Sequence, residues 1–337
     1  MVDGIYTLAN DVVYDQLVAL LNSIEVNAGV DIPVCVIAYN EQMDRVREEV
    51  KSRKNVEIID NPALFERWED FSYRVWQTHP TALKTWQEQG IKTKFYRVGE
   101  NHRYCAFDPE SPFEKFIYLD ADTLVLNSLD FVFKQLDETD FVIYDFQYKD
   151  PSHIYNLKSP KLLEVFDEAQ INSEIFCSGF YGSRRGVFSE EQREWIISKL
   201  AEGEAEILYT KAPNQSVLNY MRMRLNVPIY NFALNLPANQ RSGNSVTSPH
   251  FENRNHVLYD KDARLTYLHY IGLSSKLFKR LCEGENIDFP YRDIFLHYRY
   301  FHEPENCPKF TGKPQPFNPP PTLATRVLRK LGIKTKK

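Results

Sequence analysis

The most informative stretch of this 337-residue chain is Phe116-Ile117-Tyr118-Leu119-Asp120-Ala121-Asp122-Thr123-Leu124-Val125-Leu126. Its first four residues are apolar, and a short continuous apolar run between loops predicts a buried, parallel strand. Asp120 and Asp122 follow at the carboxyl end of this strand, which is where open α/β sheets form their ligand sites. Side chains at positions i and i+2 of an extended chain lie on the same side. We therefore expect both carboxylates to reach one divalent cation, whose natural partner is a phosphate oxygen.

A solvated strand end is the alternative interpretation of the Asp-x-Asp pair, and it holds for most isolated occurrences of so short a motif. The context favours the cation, because two like charges at the end of an apolar strand cost free energy unless a positive charge lies between them. His269 follows another apolar stretch, at 265–268. A lone histidine in that position is more often structural, whereas Gly272 and Lys276 close behind it favour a metal or phosphate site.

The first 60 residues predict a β-α-β-α-β unit. Apolar strands at 5–9, 33–39 and 56–59 alternate with helical patterns at about 13–24 and 40–54. This alternation is typical of the nucleotide-binding half of a doubly wound sheet. Neither GxGxxG nor GxxxxGK[ST] is present, so any phosphate chemistry depends on a metal.

The remaining elements extend the same sheet. We expect helical packing over the sheet at 61–104, a strand at 141–145, a strand at 175–182 and a helix that begins with a capping box at Ser189. Another helix begins at Pro213, and a late strand at 265–268 delivers His269. The polar stretch 146–174 is predicted to be an irregular substrate loop. The sequence therefore predicts an α/β fold with a mixed, mainly parallel central sheet flanked by helices.

The composition excludes several classes of protein. Hydrophobic residues make up 43% and charged residues 26%, as in a soluble globular protein, and the net charge of −5 gives no reason to expect a nucleic-acid partner. Five scattered cysteines without CxxC spacing indicate a reducing compartment. No apolar run reaches the ~18 residues of a membrane span, and no signal-peptide pattern begins the chain. We expect a cytoplasmic protein.

The C-terminal end differs in composition from the rest. We expect an α/β domain at 1–305, a proline-rich linker at 306–322 and a basic amphipathic helix at 323–337, which has six Lys or Arg residues and no acidic one. Such a helix commonly lies on an anionic membrane surface, which here would be the inner face of the membrane. The interpretation of these residues as a solvated or disordered terminus is equally consistent with the sequence.

Four motifs, in order, make about residues 4–280 resemble glycosyltransferase family 8, the family of glycogenin and the bacterial lipopolysaccharide galactosyltransferases. They are Thr7-Leu8-Ala9-Asn10-Asp11, Tyr118-Leu119-Asp120-Ala121-Asp122-Thr123, Ser178-Gly179 and His269-x-x-Gly272. The resemblance implies a GT-A-type, Rossmann-like fold, a UDP-sugar donor and transfer with retention of anomeric configuration. It also implies Mn²⁺, or Mg²⁺, held by Asp120, Asp122 and His269, a ligand set that suits either ion.

The resemblance also assigns roles to individual residues. The candidate catalytic residues are Gln215 and Asp145, which match positions lining the donor sugar, and Arg103, which matches a basic residue against donor groups. The residues expected to bind the nucleotide sugar are Thr7, Ala9, Asn10, Tyr14, Arg103, Ala121, Ser178, Gly179, Asn214, Gly272 and Lys276.

Three departures from the family pattern leave the donor sugar open. Asn214 precedes Gln215 where the family has aspartate, and Cys177 precedes the Ser-Gly pair where the family has asparagine. Lys276 follows His269 by seven residues where six is usual, and the Pro-Trp pair that normally comes next is absent.

The leading hypothesis is a metal-dependent glycosyltransferase that moves a hexose from a UDP-sugar to a glycan or glycolipid acceptor. The alternative is a degenerate nucleotide-sugar-binding or scaffold protein with little turnover. A nucleotidyltransferase also uses paired aspartates on a strand, but it needs a glycine-rich loop near the N-terminus, and residues 6–14 contain no glycine.

Overall fold

The computed structural model describes residues 2–318. The predicted basic helix at 323–337 and the end of the predicted linker at 306–322 lie outside the described residues. The strands are β1 (Gly4–Ala9), β2 (Val34–Ala38), β3 (Val56–Ile59), β4 (Lys115–Asp120), β5 (Thr123–Val125), β6 (Phe141–Ile143), β7 (Phe180–Arg184), β8 (Ile229–Asn231), β9 (Glu252–Arg254), β10 (Val257–Asp260), β11 (Ala263–Arg264), β12 (Tyr267–His269), β13 (Ile287–Asp288) and β14 (Gln315–Pro316). The α-helices are α1 (Tyr14–Asn27), α2 (Asp44–Lys51), α3 (Pro62–Thr78), α4 (Ala82–Glu88), α5 (Asp130–Gln135), α6 (Leu162–Val165), α7 (Glu168–Glu174), α8 (Glu190–Ala201), α9 (Pro213–Arg224), α10 (Phe232–Asn235), α11 (Ser275–Cys282) and α12 (Arg292–Arg299).

The central sheet has seven strands in the order β3-β2-β1-β4-β7-β6-β8. Six of them run in one direction, and β7 is antiparallel to both of its neighbours, β4 and β6. The predicted fold class, a mixed and mainly parallel sheet flanked by helices, is confirmed. The carboxyl ends of β1, β2 and β4 therefore meet at one edge, which is the edge where such sheets bind ligands.

Strand β4 is buried on both faces, which explains its uninterrupted apolar sequence. Phe116 and Tyr118 belong to the hydrophobic core on one side of the sheet, with α3, α4 and their tryptophans. Ile117 and Leu119 belong to the core on the other side, with α1 and α2. The predicted helical packing of residues 61–104 against the sheet is thereby confirmed.

Two local predictions are wrong. The chain is not extended through both carboxylates, because β4 ends at Asp120 and residues 121–122 form a turn, after which β5 pairs with β12 in a separate two-stranded sheet. The segment 146–174 is not irregular, since it contains two short 3-10 helices as well as α6 and α7. Its capping box at Asp167 and Gln170 was the signal that would have identified α7.

The strand predicted at 175–182 begins only at Phe180. Residues 175–179 run to the sheet without strand pairing, and the backbone oxygen of Gly179 accepts a hydrogen bond from the Asp120 amide at 2.9 Å. The predicted capping box of Ser189 and Gln192 is present at the start of α8.

A third hydrophobic core joins β12, α11 and α12 to helix α1. The side-chain amide of Asn22 in α1 donates to the Tyr298 backbone oxygen at 2.7 Å. Nε of Arg299 in α12 lies 2.9 Å from Oδ1 of Asp15. These contacts fix the C-terminal elements, including His269, against the sheet. Residues 315–316, within the predicted linker, pair with 287–288. The domain boundaries themselves stay a prediction.

None of the helices within residues 2–318 has the length and apolar character needed to cross a lipid bilayer.

The 3-10 segment Val98–Phe107, which carries Arg103, is anchored by one buried carboxylate. Asp108 is fully buried, and it accepts two hydrogen bonds of 2.8 Å from Arg67 and one of 3.0 Å from the Trp68 indole N–H. Removal of this carboxylate would leave the buried indole N–H of Trp68 without its acceptor, whereas Arg67 would keep its hydrogen bond to Glu110.

We predict that Asp108→Ala lowers the free energy of unfolding by about 2 kcal/mol, since the buried indole N–H of Trp68 loses its acceptor. Glu110→Ala is the matched control, because Glu110 also pairs with Arg67 but is 64% exposed, and it should cost under about 1 kcal/mol. Chemical denaturation measures both values. Equal costs for the two variants would contradict this account of the anchor.

Candidate metal centre and adjoining cleft

Asp120, Asp122 and His269 form a cluster in which the ligand atoms all lie within 4.8 Å of one another. It is the one cluster of three or more potential metal-ligating side chains found among residues 2–318. Asp120 ends β4, Asp122 lies in the following turn, and His269 ends β12. The β5–β12 pairing places His269 opposite Thr123, so that its Nε2 lies 3.3 Å from Oδ1 of Asp122. The structure thus brings together the three predicted metal ligands.

Asp120 is oriented by two donors on the same carboxylate oxygen. Arg103 donates from Nη2 to Oδ1 at 3.0 Å, and the Tyr118 hydroxyl donates to Oδ1 at 3.1 Å. Within the described residues, Oδ2 of Asp120 receives no hydrogen bond from the protein, so it remains available to a cation. Tyr118 lies two positions before Asp120 on the strand, and side-chain alternation would have predicted this contact from the sequence.

The imidazole of His269 is held in place from several sides. A Cβ atom added at Gly179 would overlap Cε1 of the His269 ring, so the absence of a side chain at 179 is what lets the ring occupy this position. Burial alone would lower the pKa of His269, but the Asp122 carboxylate outweighs it, with a further contribution from the Cys177 thiol, and raises the pKa above its usual value. The Asp122 carboxylate therefore stabilises a positive charge at the position of the His269 ring.

Arg103 is a buried partner of the metal cluster. Its Nε donates to the Glu100 backbone oxygen, Nη1 to the backbone and hydroxyl oxygens of Ser178, and Nη2 to Asp120. Burial would lower the pKa of Arg103, but the adjacent Asp120 carboxylate raises it. The side chain is only 6% exposed. Arg103 reaches the edge of the site while its hydrogen bonds serve to orient Asp120 and the 178–179 backbone.

A cleft of about 580 Å³ adjoins the cluster. Of the residues predicted from the sequence, Ala9, Asn10, Arg103, Asp120, Ala121 and Asp122 line it. Its further lining residues include Gln16, Tyr39, Asn40, Gln42, Arg97, Glu100, Leu273 and Ser275. Tyr39 and Asn40 directly follow β2, whose carboxyl end lies beside that of β1. The predicted β-α-β-α-β unit therefore already indicated that both residues would lie at the ligand-binding edge of the sheet.

Three residues predicted to bind the nucleotide lie elsewhere. Thr7 is fully buried within β1. Tyr14 lines a different cavity, of about 690 Å³, between α1, α2 and α12, where its hydroxyl donates to Glu49 at 2.9 Å. Lys276 is exposed in a groove next to the cleft, with Asp11 and Arg45.

Gly272 lies in the turn before α11, with a φ of +83° that favours glycine. Helix α11 begins directly after Ser274, whose hydroxyl accepts a hydrogen bond from the Lys276 amide. Leu273 and Ser275 bring this helix start to the cleft. Free N–H groups at a helix N-terminus favour an anion.

The candidate sugar-binding residues surround the 177–179 segment. Gln215 accepts a hydrogen bond from the Ser178 amide at 3.0 Å, and Asp145 accepts one from the Cys177 amide at 2.8 Å. Burial raises the pKa of Asp145 to about 7, although its backbone N–H donors act to lower it. Neither Asp145 nor Gln215 lines the cleft itself.

Asn214 makes a contact that explains its departure from the family pattern. Its side-chain amide donates to Oε2 of Glu100. An aspartate at position 214 would place two carboxylates in direct contact, which costs free energy. The asparagine is therefore the residue that Glu100 requires.

No protein-family model matches the chain, and no curated protein sequence matches it. Its fold is similar to that of solved structures. An active-site mutant of LgtC superposes with a TM-score of 0.50 at 13% identity, over 83% of this chain and 95% of that one. The galactosyltransferase LgtC in complex with donor and acceptor sugar analogs gives 0.49 at 14% identity, over 82% and 94%. Mouse xyloside xylosyltransferase 1 gives 0.48 at 10% identity, over 68% and 85%.

At these identities the likeness shows the fold alone. The chain has a GT-A-type α/β fold, as the sequence predicted. Membership of glycosyltransferase family 8 stays a prediction.

We predict that Gly179→Ala weakens Mn²⁺ binding at least tenfold, because the added methyl group displaces the His269 imidazole. Electron paramagnetic resonance of free Mn²⁺ measures the dissociation constant. The single variant should also melt at a lower temperature than the wild type. Adding His269→Ala should restore the melting temperature without restoring Mn²⁺ binding. Unchanged Mn²⁺ affinity in Gly179→Ala would contradict the proposed position of the imidazole.

Proposed function

We propose that the protein is a metal-dependent glycosyltransferase that moves a hexose, with retention of configuration, from a UDP-sugar to a glycan or glycolipid acceptor. The observation that carries this proposal is the Asp120, Asp122 and His269 cluster, which opens onto a cleft at the carboxyl ends of β1, β2 and β4. The GT-A-type fold supports it. LgtC, whose structure includes donor and acceptor sugar analogs, is a galactosyltransferase with this fold.

The residues present fit a divalent cation. The cluster offers two carboxylates and one imidazole, which suit Mn²⁺ or Mg²⁺ and leave other positions for phosphate oxygens. Oδ2 of Asp120 is directed by the two donors on Oδ1, and the close approach of His269 to Asp122 places two negative groups and one basic nitrogen around a common point. When bound, the metal supplies electrophilic stabilisation of the negative charge on a departing nucleoside diphosphate.

The chain's own groups bind and orient the donor. Asn10, Asn40 and Gln42 line the cleft, and their amides suit the polar edges of a uracil base. The start of α11 reaches the same cleft through Leu273 and Ser275, and backbone N–H groups at a helix start suit phosphates. Lys276 lines a groove that shares residues with the cleft, and it adds a positive charge there.

Asp145 and Gln215, which both bind the 177–178 backbone, are proposed to contact the transferred sugar. Because burial raises its pKa to about 7, Asp145 can hold or release a proton near neutral pH. The Gln215 carboxamide, already hydrogen-bonded to the Ser178 amide, is positioned by its additional bond of 3.2 Å from Nε2 to the His153 backbone oxygen. Each residue therefore presents a fixed polar group rather than a mobile one.

We predict that Asp122→Asn lowers Mn²⁺-dependent hydrolysis of a UDP-sugar at least a hundredfold, since the neutral amide is a poor ligand for a hard cation. Asp262→Asn is the control. Its side chain is 99% exposed on the β10–β11 turn, so turnover should not change. Release of UDP at saturating Mn²⁺ measures the effect. Wild-type turnover in Asp122→Asn would contradict the assignment, and nucleotide binding without turnover in the wild type would favour the non-catalytic alternative.

We also propose that residues 323–337 bring the protein to the inner face of an anionic membrane, where a glycolipid acceptor would lie. Six basic residues without an acidic one support this proposal. Full-length protein should sediment with vesicles that contain phosphatidylserine, and a chain ending at residue 318 should not. High salt should release the full-length protein, because salt screens the attraction. Equal sedimentation of both chains would contradict the proposal.

A further inference from the structure

Arg97 has an unusual backbone conformation at the wall of the cleft. Its φ of 60° and ψ of 45° lie in the left-handed region. Residues other than glycine, asparagine and aspartate rarely adopt this backbone conformation. The conformation is imposed by the start of the 3-10 segment. The Arg97 backbone oxygen accepts from the Glu100 amide at 3.0 Å and from the Asn101 side chain at 3.1 Å.

The side chain of Arg97 is directed by a buried acidic neighbour. Its Nη1 lies 2.9 Å from Oε1 of Glu100, while the other carboxylate oxygen of Glu100 accepts from Asn214. Glu100 is thus held from two sides and is 17% exposed, whereas 44% of the Arg97 side chain remains exposed. Both residues line the 580 Å³ cleft beside Asp120 and Asp122.

Arg97 and Arg103 are the two cationic side chains among the cleft-lining residues that the structure describes. They differ in what they can bind. Arg103 is buried and engaged at Nε, Nη1 and Nη2 by protein oxygens. Arg97 lines the cleft with 44% of its side chain exposed, and a guanidinium binds phosphate oxygens with two parallel hydrogen bonds.

We propose that Arg97 is a substrate-binding residue, which contacts phosphate oxygens of the nucleotide donor in the cleft. Its strained backbone is retained because that conformation turns the guanidinium toward Glu100 and the cleft. Backbone strain of this kind persists where the surrounding structure over-determines it, and it concentrates at ligand-binding positions. This inference rests on the proposed function, since it takes a nucleotide as the ligand of the cleft.

A pair of substitutions separates strain from binding. Arg97→Gly removes both the guanidinium and the strain, whereas Arg97→Ala removes the guanidinium and leaves the left-handed backbone. Without ligand, Arg97→Gly should melt about 2 °C above Arg97→Ala. Both variants should bind UDP in the presence of Mn²⁺ about tenfold more weakly than the wild type, as measured by calorimetry, and both should bind uridine as the wild type does, as measured by ligand NMR. Arg47→Ala, which removes a half-exposed arginine paired with Asp60 outside the cleft, is the control and should change none of these values.

Each of the other possible results of these measurements would overturn one part of the proposal. Wild-type UDP affinity in both variants would show that Arg97 does not bind the ligand and would leave the proposed function standing. An equal loss for uridine would place the contact at the nucleoside and overturn the phosphate assignment. A lower melting temperature for Arg97→Gly than for Arg97→Ala would show that the backbone is not strained. If the wild-type protein bound no nucleotide with Mn²⁺, the proposed function would fall, and this inference with it.

Discussion

The short antiparallel pairing of β5 with β12 is the constraint on which the rest of the site depends. Three residues of each strand pair, and they bring His269 beside an aspartate that lies in the turn after β4. The third hydrophobic core holds β12 in place through α11, α12 and α1. Because Gly179 carries no side chain, the imidazole fits against the neighbouring backbone. The metal cluster is therefore a product of tertiary packing, and local sequence supplies only two of its three members.

The sequence predicts those features that local patterns encode. The uninterrupted apolar run at 116–119 identifies a strand buried on both faces, and the same run locates Asp120 at its carboxyl end. The 3.6-residue period identifies α1, and the pair Ser189 and Gln192 identifies the start of α8. Residues 146–174 carry no long apolar period, which is why their short helices escaped prediction. The turn at 121–122 also escaped, since the residues on either side of it suit a continuous strand equally well.

Side-chain roles are harder to predict, because they depend on competition among neighbours. The family resemblance placed Arg103 against donor groups, but hydrogen bonds to Asp120, Ser178 and the Glu100 backbone engage all three of its nitrogen atoms. The resemblance assigned Tyr14 to the nucleotide, yet its hydroxyl donates to Glu49 of α2 in another cavity. The Asn214 departure left the donor sugar open in the sequence, whereas in the structure its side-chain amide donates to Glu100. In each case a partner distant in the chain sets the role of the residue, and periodicity carries no information about such a partner.

We propose that the cluster of Asp120, Asp122 and His269 holds a metal that in turn holds a uridine nucleotide in the cleft. The most direct test is the melting temperature of the protein with UDP, GDP, CMP and dTDP, each with and without Mn²⁺. A ligand that binds only the folded state raises the melting temperature. We expect a rise with UDP that requires Mn²⁺ and exceeds the rise with any other nucleotide. No rise with any nucleotide, or a rise with UDP that is the same without Mn²⁺, would contradict it.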